Sequence, residues 1–525
     1  MSLAIVHSRA ALGVAAPRVS VEVHVGGGLP ALSIIGLPAA AVRESGDRVR
    51  AVLQGRNLGW PAGRIIVHLG PAELPKHGGR FDLAIALGIL AAIGELPRPC
   101  LAGVEFFGEL ALDGRLRPVT GAFPAVMAAL AAGQHVVLPE GNVPEGRLAL
   151  AAAPAGSTVY AADDIRSVLA HLKGRATLAT LAPADPRVAD VADGPDLADV
   201  RGHVMPCRAL EIAAAGGHNL LFTGPPGTGK SMLAQRLPAL LPPLSRASAL
   251  EVAAVHSVAG LPVSAERFLC RPFRAPHHTA SAVALVGGGS PPRPGEVSLA
   301  HEGVLFLDEL PEYPRRVLEV LREPLENGAI TIVRAARRAQ FPARCQLIAA
   351  MNPCPCGYHG DPTGRCRCTP DQVDRYRARL SGPLLDRIDL HVEVARVNLA
   401  HAPPAASSAE VAARVATARA RQVERQGRAN AWLDVSGLRR HARADDDALR
   451  LLARATEWFR LSGRAQARLL KVARTIADLA ADGRVTHTHL GEALALRAVE
   501  TVGGTAGARV LNSPAATAPD PLADE

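Results

Sequence analysis

At 525 residues and 54.7 kDa the chain is long enough for two or three domains rather than one. Hydrophobic residues make up 48%, ample for packed cores, whereas aromatics at 3% argue against extensive ring-stacking surfaces for bases or sugars. The formal charge of +9 fits a polyanionic partner, most simply nucleic acid, or a basic enzyme without one.

The first residues, "MSLAIVHSRAALG", lack a basic segment followed by a sustained apolar run, so no secretory leader is expected. Residues 1–172 alternate β-like runs ("RVSVEVHV", "RIIVHL", "HVVLP") with alanine-rich helical stretches. The longest apolar stretch, residues 83–94, is too short to cross a bilayer and is expected as a buried helix. A cytoplasmic protein without membrane contact is the expectation. Residues 173–200, rich in Ala, Pro and Asp, read as a linker. From 201 to 395 apolar strands ("NLLFTG", "GVLFLDE", "CQLIAAMN") alternate with helices, the pattern of an α/β fold with a parallel sheet. A second break over 396–408 precedes a helical region, 409–502, and an Ala/Pro-rich tail, 503–525, expected to be disordered.

The run Gly224-Pro225-Pro226-Gly227-Thr228-Gly229-Lys230-Ser231 matches G-x-x-x-x-G-K-[ST] in full, with an apolar strand before it and a helix-compatible segment after it. Glycines let successive backbone N–H groups turn toward phosphate oxygens, and the helix amino terminus adds a favourable dipole. Lys230 is then expected at the β and γ phosphates of ATP, and the Ser231 hydroxyl on Mg²⁺. "GVLFLDEL" delivers Asp308 and Glu309 at the carboxyl end of a buried strand. Asp308 is placed to support Mg²⁺ and Glu309 to polarise the attacking water, unless Glu309 only caps a following helix. Asn352 ends a third strand, as a γ-phosphate sensor or as a turn cap. Arg387, in "SGPLLDRIDLHVEV", fits a charge-neutralising finger from a neighbouring subunit or a surface pair with Asp386 or Asp389.

From Ile330 to Leu347 the chain holds no acid, while Arg334, Arg337, Arg338 and Arg344 supply positive charge. The reading is a strand ("AITIVR"), a turn ("AARRA") and a returning strand. Such a basic hairpin could follow a DNA backbone without reading sequence, or be a solvated loop. Arg293, in "ALVGGGSPPRPGE", is a second DNA-binding candidate. Of the eight cysteines, Cys354, Cys356, Cys366 and Cys368 form two C-x-C pairs. In a reducing compartment they suit one tetrahedral Zn²⁺ or stay reduced and unliganded. His277 and His278 read as loop or interface residues rather than metal ligands.

The succession "FRAPHHTASAVALVGGG", "PGEVSLAHEGVLFLDEL", "LEVLREPLENG", "AAMNPCPCGY" and "LSGPLLDRIDLHVEV" resembles the magnesium-chelatase-like AAA+ ATPases, and within them the bacterial ComM/YifB group. The resemblance covers nearly the whole chain. It implies a hexameric ring with ATP at subunit interfaces, Asn352 as first sensor, Arg387 as the trans-acting finger and Arg464 as the second-sensor arginine, with Arg468 as the alternative. It also implies a DNA helicase promoting branch migration of recombination intermediates in natural transformation. The expected fold is an amino-terminal Lon-protease-like (ribosomal S5 domain 2-like) domain, an AAA+ P-loop NTPase core with a parallel sheet, and a carboxy-terminal helical lid. Against the Lon pattern, "PKHGGRFDLAIA" places Arg80 at the serine position, and Phe123 stands at the lysine position. A serine–lysine peptidase needs both groups, so no peptidase activity is expected. The rival readings are a chelatase motor subunit, which the amino-terminal extension argues against, and a protein-remodelling ATPase.

Overall fold

The computed structural model describes residues 3–186, 194–334, 337–361, 364–398 and 402–497. The side chains of Arg334 and Arg337 lie outside that description, as does the expected tail.

The amino-terminal unit is an eight-stranded mixed sheet. Leu3–Arg9 and Arg18–Gly26 pair antiparallel at its centre, flanked by Val104–Phe106 on one side and Arg64–Gly70 on the other. Alternation decides which face is covered: Val19, Val21 and Val23 are buried on one side of their strand. Helix Asp82–Ala92 lies over that face and is buried at every position, as expected for the longest apolar run. Gly88 makes the close approach possible, since a Cβ there would stand 2.6 Å from Val23 Cγ2. Part of the expected linker is structured: Ala179–Thr180 adds an edge strand, while Leu197 and Val200 are buried in the next unit.

That next unit is a five-stranded parallel sheet in the order Phe273–Arg274, Val304–Leu307, Gln346–Met351, Leu220–Thr223, Leu390–Glu393. The strands read as uninterrupted apolar runs because helices cover both faces. Gln346–Met351 is buried along its whole length. All the strands run the same way, so their carboxyl ends converge on one edge of the sheet, where ligands bind in such folds.

The two α/β units share a core. Helix Arg246–Ala259 packs against helix Ala122–Ala131, with Phe123, Val126, Ala249 and Val252 buried together. Ser257 Oγ donates to Glu145 Oε1 at 2.5 Å and accepts from the Phe123 N–H at 3.2 Å.

Carboxy-terminal helices Ser408–Gln426, Asp446–Phe459, Gly463–Leu479 and His487–Ala495 pack beside the parallel sheet. The first is started by a reciprocal capping box between Ser407 and Glu410. A buried network ties these helices to the sheet: Asp389 pairs with Arg468 at 2.5 Å and with His218 at 3.3 Å, and His218 reaches Thr475 at 2.7 Å. Burial alone would raise the Asp389 pKa; Arg468 and His218 outweigh it and hold the carboxyl well below its usual range. No helix among the described residues is long and apolar enough to cross a membrane.

His391, in the edge strand Leu390–Glu393, is buried, and burial with the nearby Arg497 charge pushes its pKa down to about 4. The folded state therefore favours the neutral ring. Its contribution to stability is complete above the unfolded value of about 6.5 and is lost as pH falls through the folded value. Urea titrations should show the unfolding free energy falling between these two pH values, by on the order of 3 kcal/mol from this residue. His391→Gln should flatten that part of the profile.

Candidate active site

Strand Leu220–Thr223 runs into the glycine-rich loop, and helix Lys230–Leu240 leaves it. Gly227 and Gly229 take left-handed φ values of 76° and 87°, which turns the loop back toward the helix start. At Gly224 a Cβ would lie 2.2 Å from the Val394 carbonyl oxygen, so the loop is pressed against the neighbouring strand end. Lys230 Nζ donates to Gly224 O at 2.7 Å, Pro225 O at 2.9 Å and Asn352 Oδ1 at 3.2 Å. All three acceptors are uncharged. Burial lowers the Lys230 pKa, and Asp308 and Glu309 oppose that shift. An anion arriving at this loop meets a cation without a contacting counter-charge.

Ser231 Oγ donates to Asp308 Oδ2 at 2.5 Å, which joins the two oxygen donors expected to hold Mg²⁺. Both are hard oxygen groups at the mouth of the phosphate loop, a donor set that fits magnesium bound with substrate phosphates. Glu309 follows with φ at 51°, an uncommon value for a residue with a Cβ. It starts a short 3-10 turn but makes no side-chain cap. Its Oε2 instead stands 3.1 Å from His278 Nδ1. Asn352 likewise gives its amide oxygen to Lys230.

Arg387 makes neither pair considered with Asp386 or Asp389. Its guanidinium is buried, donating to Glu326 Oε2 at 2.5 Å, Arg322 O at 3.1 Å and Pro383 O at 2.6 Å. Asp389 is already taken by Arg468. Arg464 is exposed and approaches the other oxygen of Glu326 at 3.6 Å. Two arginines thus converge on one carboxylate, while Arg468 is committed to the fold.

Ala329–Arg334 and Arg337–Pro342 form the basic hairpin. Arg334 pairs with Arg337 across it, so the expected turn is shorter than "AARRA", and Arg337 and Arg338 belong to the returning strand. Ile330, Ile332, Ala339 and Phe341 root the hairpin in the core, while Val333 and Arg338 are exposed on its other face. Arg293 is exposed on a two-residue strand pairing with Gly287–Gly288. A Cβ on Gly287 would lie 3.0 Å from Ile332, so the two basic inserts are neighbours. Cys354, Cys356, Cys366 and Cys368 come together, with all four sulfurs within 4.8 Å of one another.

Family profiles described as "Magnesium chelatase, subunit ChlI", "Subunit ChlI of Mg-chelatase" and "Magnesium chelatase, subunit ChlI C-terminal" match residues 196–402, 21–142 and 405–497. YifB of Escherichia coli is 47% identical over 505 residues, which is 95% of this chain and 98% of that protein. Competence protein ComM of Haemophilus influenzae is 46% identical over 507 residues, with the same two shares. The chain belongs to the ComM/YifB group of magnesium-chelatase-like AAA+ ATPases. A weaker likeness, 27% over 223 residues, relates 39% of the chain to 21% of the DNA replication licensing factor Mcm2 of Drosophila melanogaster.

In this ComM/YifB-type ATPase three contacts had no local signature in the sequence. His278 reaches Glu309 because their strands, Phe273–Arg274 and Val304–Leu307, are parallel neighbours. Glu326 lies 61 residues from the arginine that it binds. Gly357 rests on the phosphate loop, a Cβ there being 2.6 Å from Pro226 Cδ. The amino-terminal extension, expected to set the chain apart from chelatase motor subunits, is itself matched over 21–142 by a chelatase-subunit profile and does not discriminate between them.

Lys230→Ala should abolish most binding of a fluorescent ATP analogue. Asn352→Ala should leave affinity within a small factor and lower kcat about 10²-fold, the size of effect seen when one positioned polar group is removed.

Proposed function

We propose that the chain is an ATP-driven motor that acts on DNA as a hexameric ring, a helicase promoting branch migration in recombination or natural transformation. The observation that carries the reading is the division of the hydrolytic groups. Gly224 to Ser231, Asp308, Glu309 and Asn352 form one constellation. Arg387 and Arg464 share Glu326, and their hydrogen-bond and ion-pair partners include no residue of the phosphate loop. So placed, Arg387 serves the nucleotide of an adjoining subunit in a ring, and Arg464 is the second-sensor arginine of the lid.

Lys230 would bind the β and γ phosphates of ATP, with Ser231 and Asp308 holding Mg²⁺. The metal supplies neutralisation of phosphate charge when bound. Glu309, released from His278, orients and deprotonates the attacking water. Asn352 fixes the position of the terminal phosphate, and Arg387 stabilises charge on the phosphoryl oxygens. The adjacent hairpins bearing Arg293, Arg334, Arg337 and Arg338 follow single-stranded or branched DNA by its phosphates. The printed names of two relatives, a competence protein and a DNA replication licensing factor, support DNA as the partner.

The amino-terminal unit, residues 1–172, is read as a Lon-protease-like domain without its peptidase dyad, and residues 409–502 as the lid. Arg80 is buried with its guanidinium on the carbonyls of Arg9 and Thr120, beside the segment that carries Phe123. No hydroxyl–amine pair stands at those positions. A cytoplasmic location accords with an ATP-dependent motor on DNA. The second reading, a chelatase-type motor subunit, draws its support from the three profile descriptions.

A synthetic four-way junction separates the readings. The native protein should move the branch only with Mg²⁺·ATP, and Glu309→Gln should bind junction and nucleotide yet yield no product. No movement by an ATP-hydrolysing native protein, together with no stimulation of its ATPase by forked DNA, overturns the DNA reading. Arg337→Ala with Arg338→Ala should weaken DNA binding and reduce its salt dependence while leaving basal hydrolysis intact. Arg387→Ala should lower kcat by about 10³-fold without changing oligomer mass, the scale of effect known for finger arginines.

A further inference from the structure

Two residues beyond Asn352 the chain enters the cysteine knuckle. Cys354 and Cys356 stand 3.4 Å apart at their sulfurs, Cys354 and Cys366 3.8 Å, and Cys356 and Cys366 3.7 Å. Four thiolates around one zinc at about 2.3 Å place their sulfurs about 3.8 Å from one another. These three spacings lie close to that value, Cys368 Sγ falls within 4.8 Å of the other sulfurs, and all eight cysteines are free. A bridge of two irons would spread its ligands more widely than the 4.8 Å that encloses these four. A backbone N–H also aims at a sulfur, that of His359 at Cys354 Sγ, 3.3 Å. Such a donor to sulfur is the outer-shell hydrogen bond that metal-bound cysteines commonly receive.

The knuckle is fastened at three places. Its first cysteine follows the sensor strand Gln346–Met351 by way of Asn352. Gly357, at φ 84°, lies against Pro226, where a side chain would collide. The guanidinium groups of Arg365 and Arg396 stand over the Tyr358 ring, 5.9 and 5.6 Å from its centre. Arg396 follows the edge strand that closes the sheet beside the phosphate loop.

We infer that Cys354, Cys356, Cys366 and Cys368 bind one zinc ion, and that this zinc knuckle is a clamp which holds the sensor Asn352 and the phosphate loop in register. Asn352 and Pro226 are then positioned through the metal rather than by the sensor strand alone. The metal takes no part in phosphoryl transfer. The clamp rests on the ATPase reading; the metal site does not.

Elemental analysis of the full chain purified under reducing conditions should find about one zinc per subunit. Loading with cobalt instead should give the visible absorption of tetrahedral thiolate coordination. Zinc well below one per chain together with no such absorption overturns the site, and stoichiometric iron overturns its identity. Cys366→Ser with Cys368→Ser should lose zinc and lower kcat for ATP roughly tenfold or more, with circular dichroism and oligomer mass kept. Gly357→Ala should keep the zinc and reproduce that loss, because it lifts the knuckle from Pro226. A folded, zinc-free variant that hydrolyses ATP at the native rate overturns the clamp. Should the double serine variant fail to fold, stripping zinc from the native protein with a chelator provides the same comparison: a fall in kcat that added zinc reverses supports the clamp, and an unchanged kcat overturns it.

Discussion

A buried ammonium group with only uncharged acceptors organises the centre of this protein. Lys230 is satisfied by two backbone carbonyls and the Asn352 amide, so it is hydrogen-bonded without being neutralised. Burying such a charge is costly, and an arriving phosphate offsets the cost. The surrounding architecture serves that arrangement. Parallel strands bring Thr223, Leu307 and Met351 to the same edge, so the glycine-rich loop, the paired acids and Asn352 meet although they are far apart in sequence.

The remaining groups of the site are held in check by the protein itself. Glu309 rests on His278 in an uncommon backbone conformation, and Arg387 rests on Glu326. Each of these contacts occupies a side chain that the proposed mechanism uses. The group-wide similarity to ComM and YifB extends over all of these segments, since it spans 95% of the chain.

What could be read from the sequence was local. The phosphate loop is a contiguous motif, the buried strands are contiguous apolar runs, and helix Asp82–Ala92 followed from one unbroken hydrophobic stretch. The cysteines advertised themselves by spacing. What escaped was fixed by tertiary placement. Neighbouring acids offered Asp386 and Asp389 as alternative partners for Arg387, yet the turn after Gly382–Leu385 sends its guanidinium to Glu326. His278 has no spacing relation to Glu309 that a reader could use. The hairpin turn was drawn too wide because strand register, not composition, assigns Arg337 to the returning strand. Alanine-rich helices such as Ala122–Ala131 gave no hint that they would seal one α/β unit to the next.

One cleft in the structure is bounded by Glu323, Glu326 and Arg387 on one side and by Ile330, Ile332 and Val333 of the basic hairpin on the other. Whatever draws Arg387 away from Glu326 therefore acts on a wall that the hairpin shares. Under the proposed function, trigger and gripping arm would be parts of one small lever, with a transmission between fuel and cargo no longer than the breadth of that crevice.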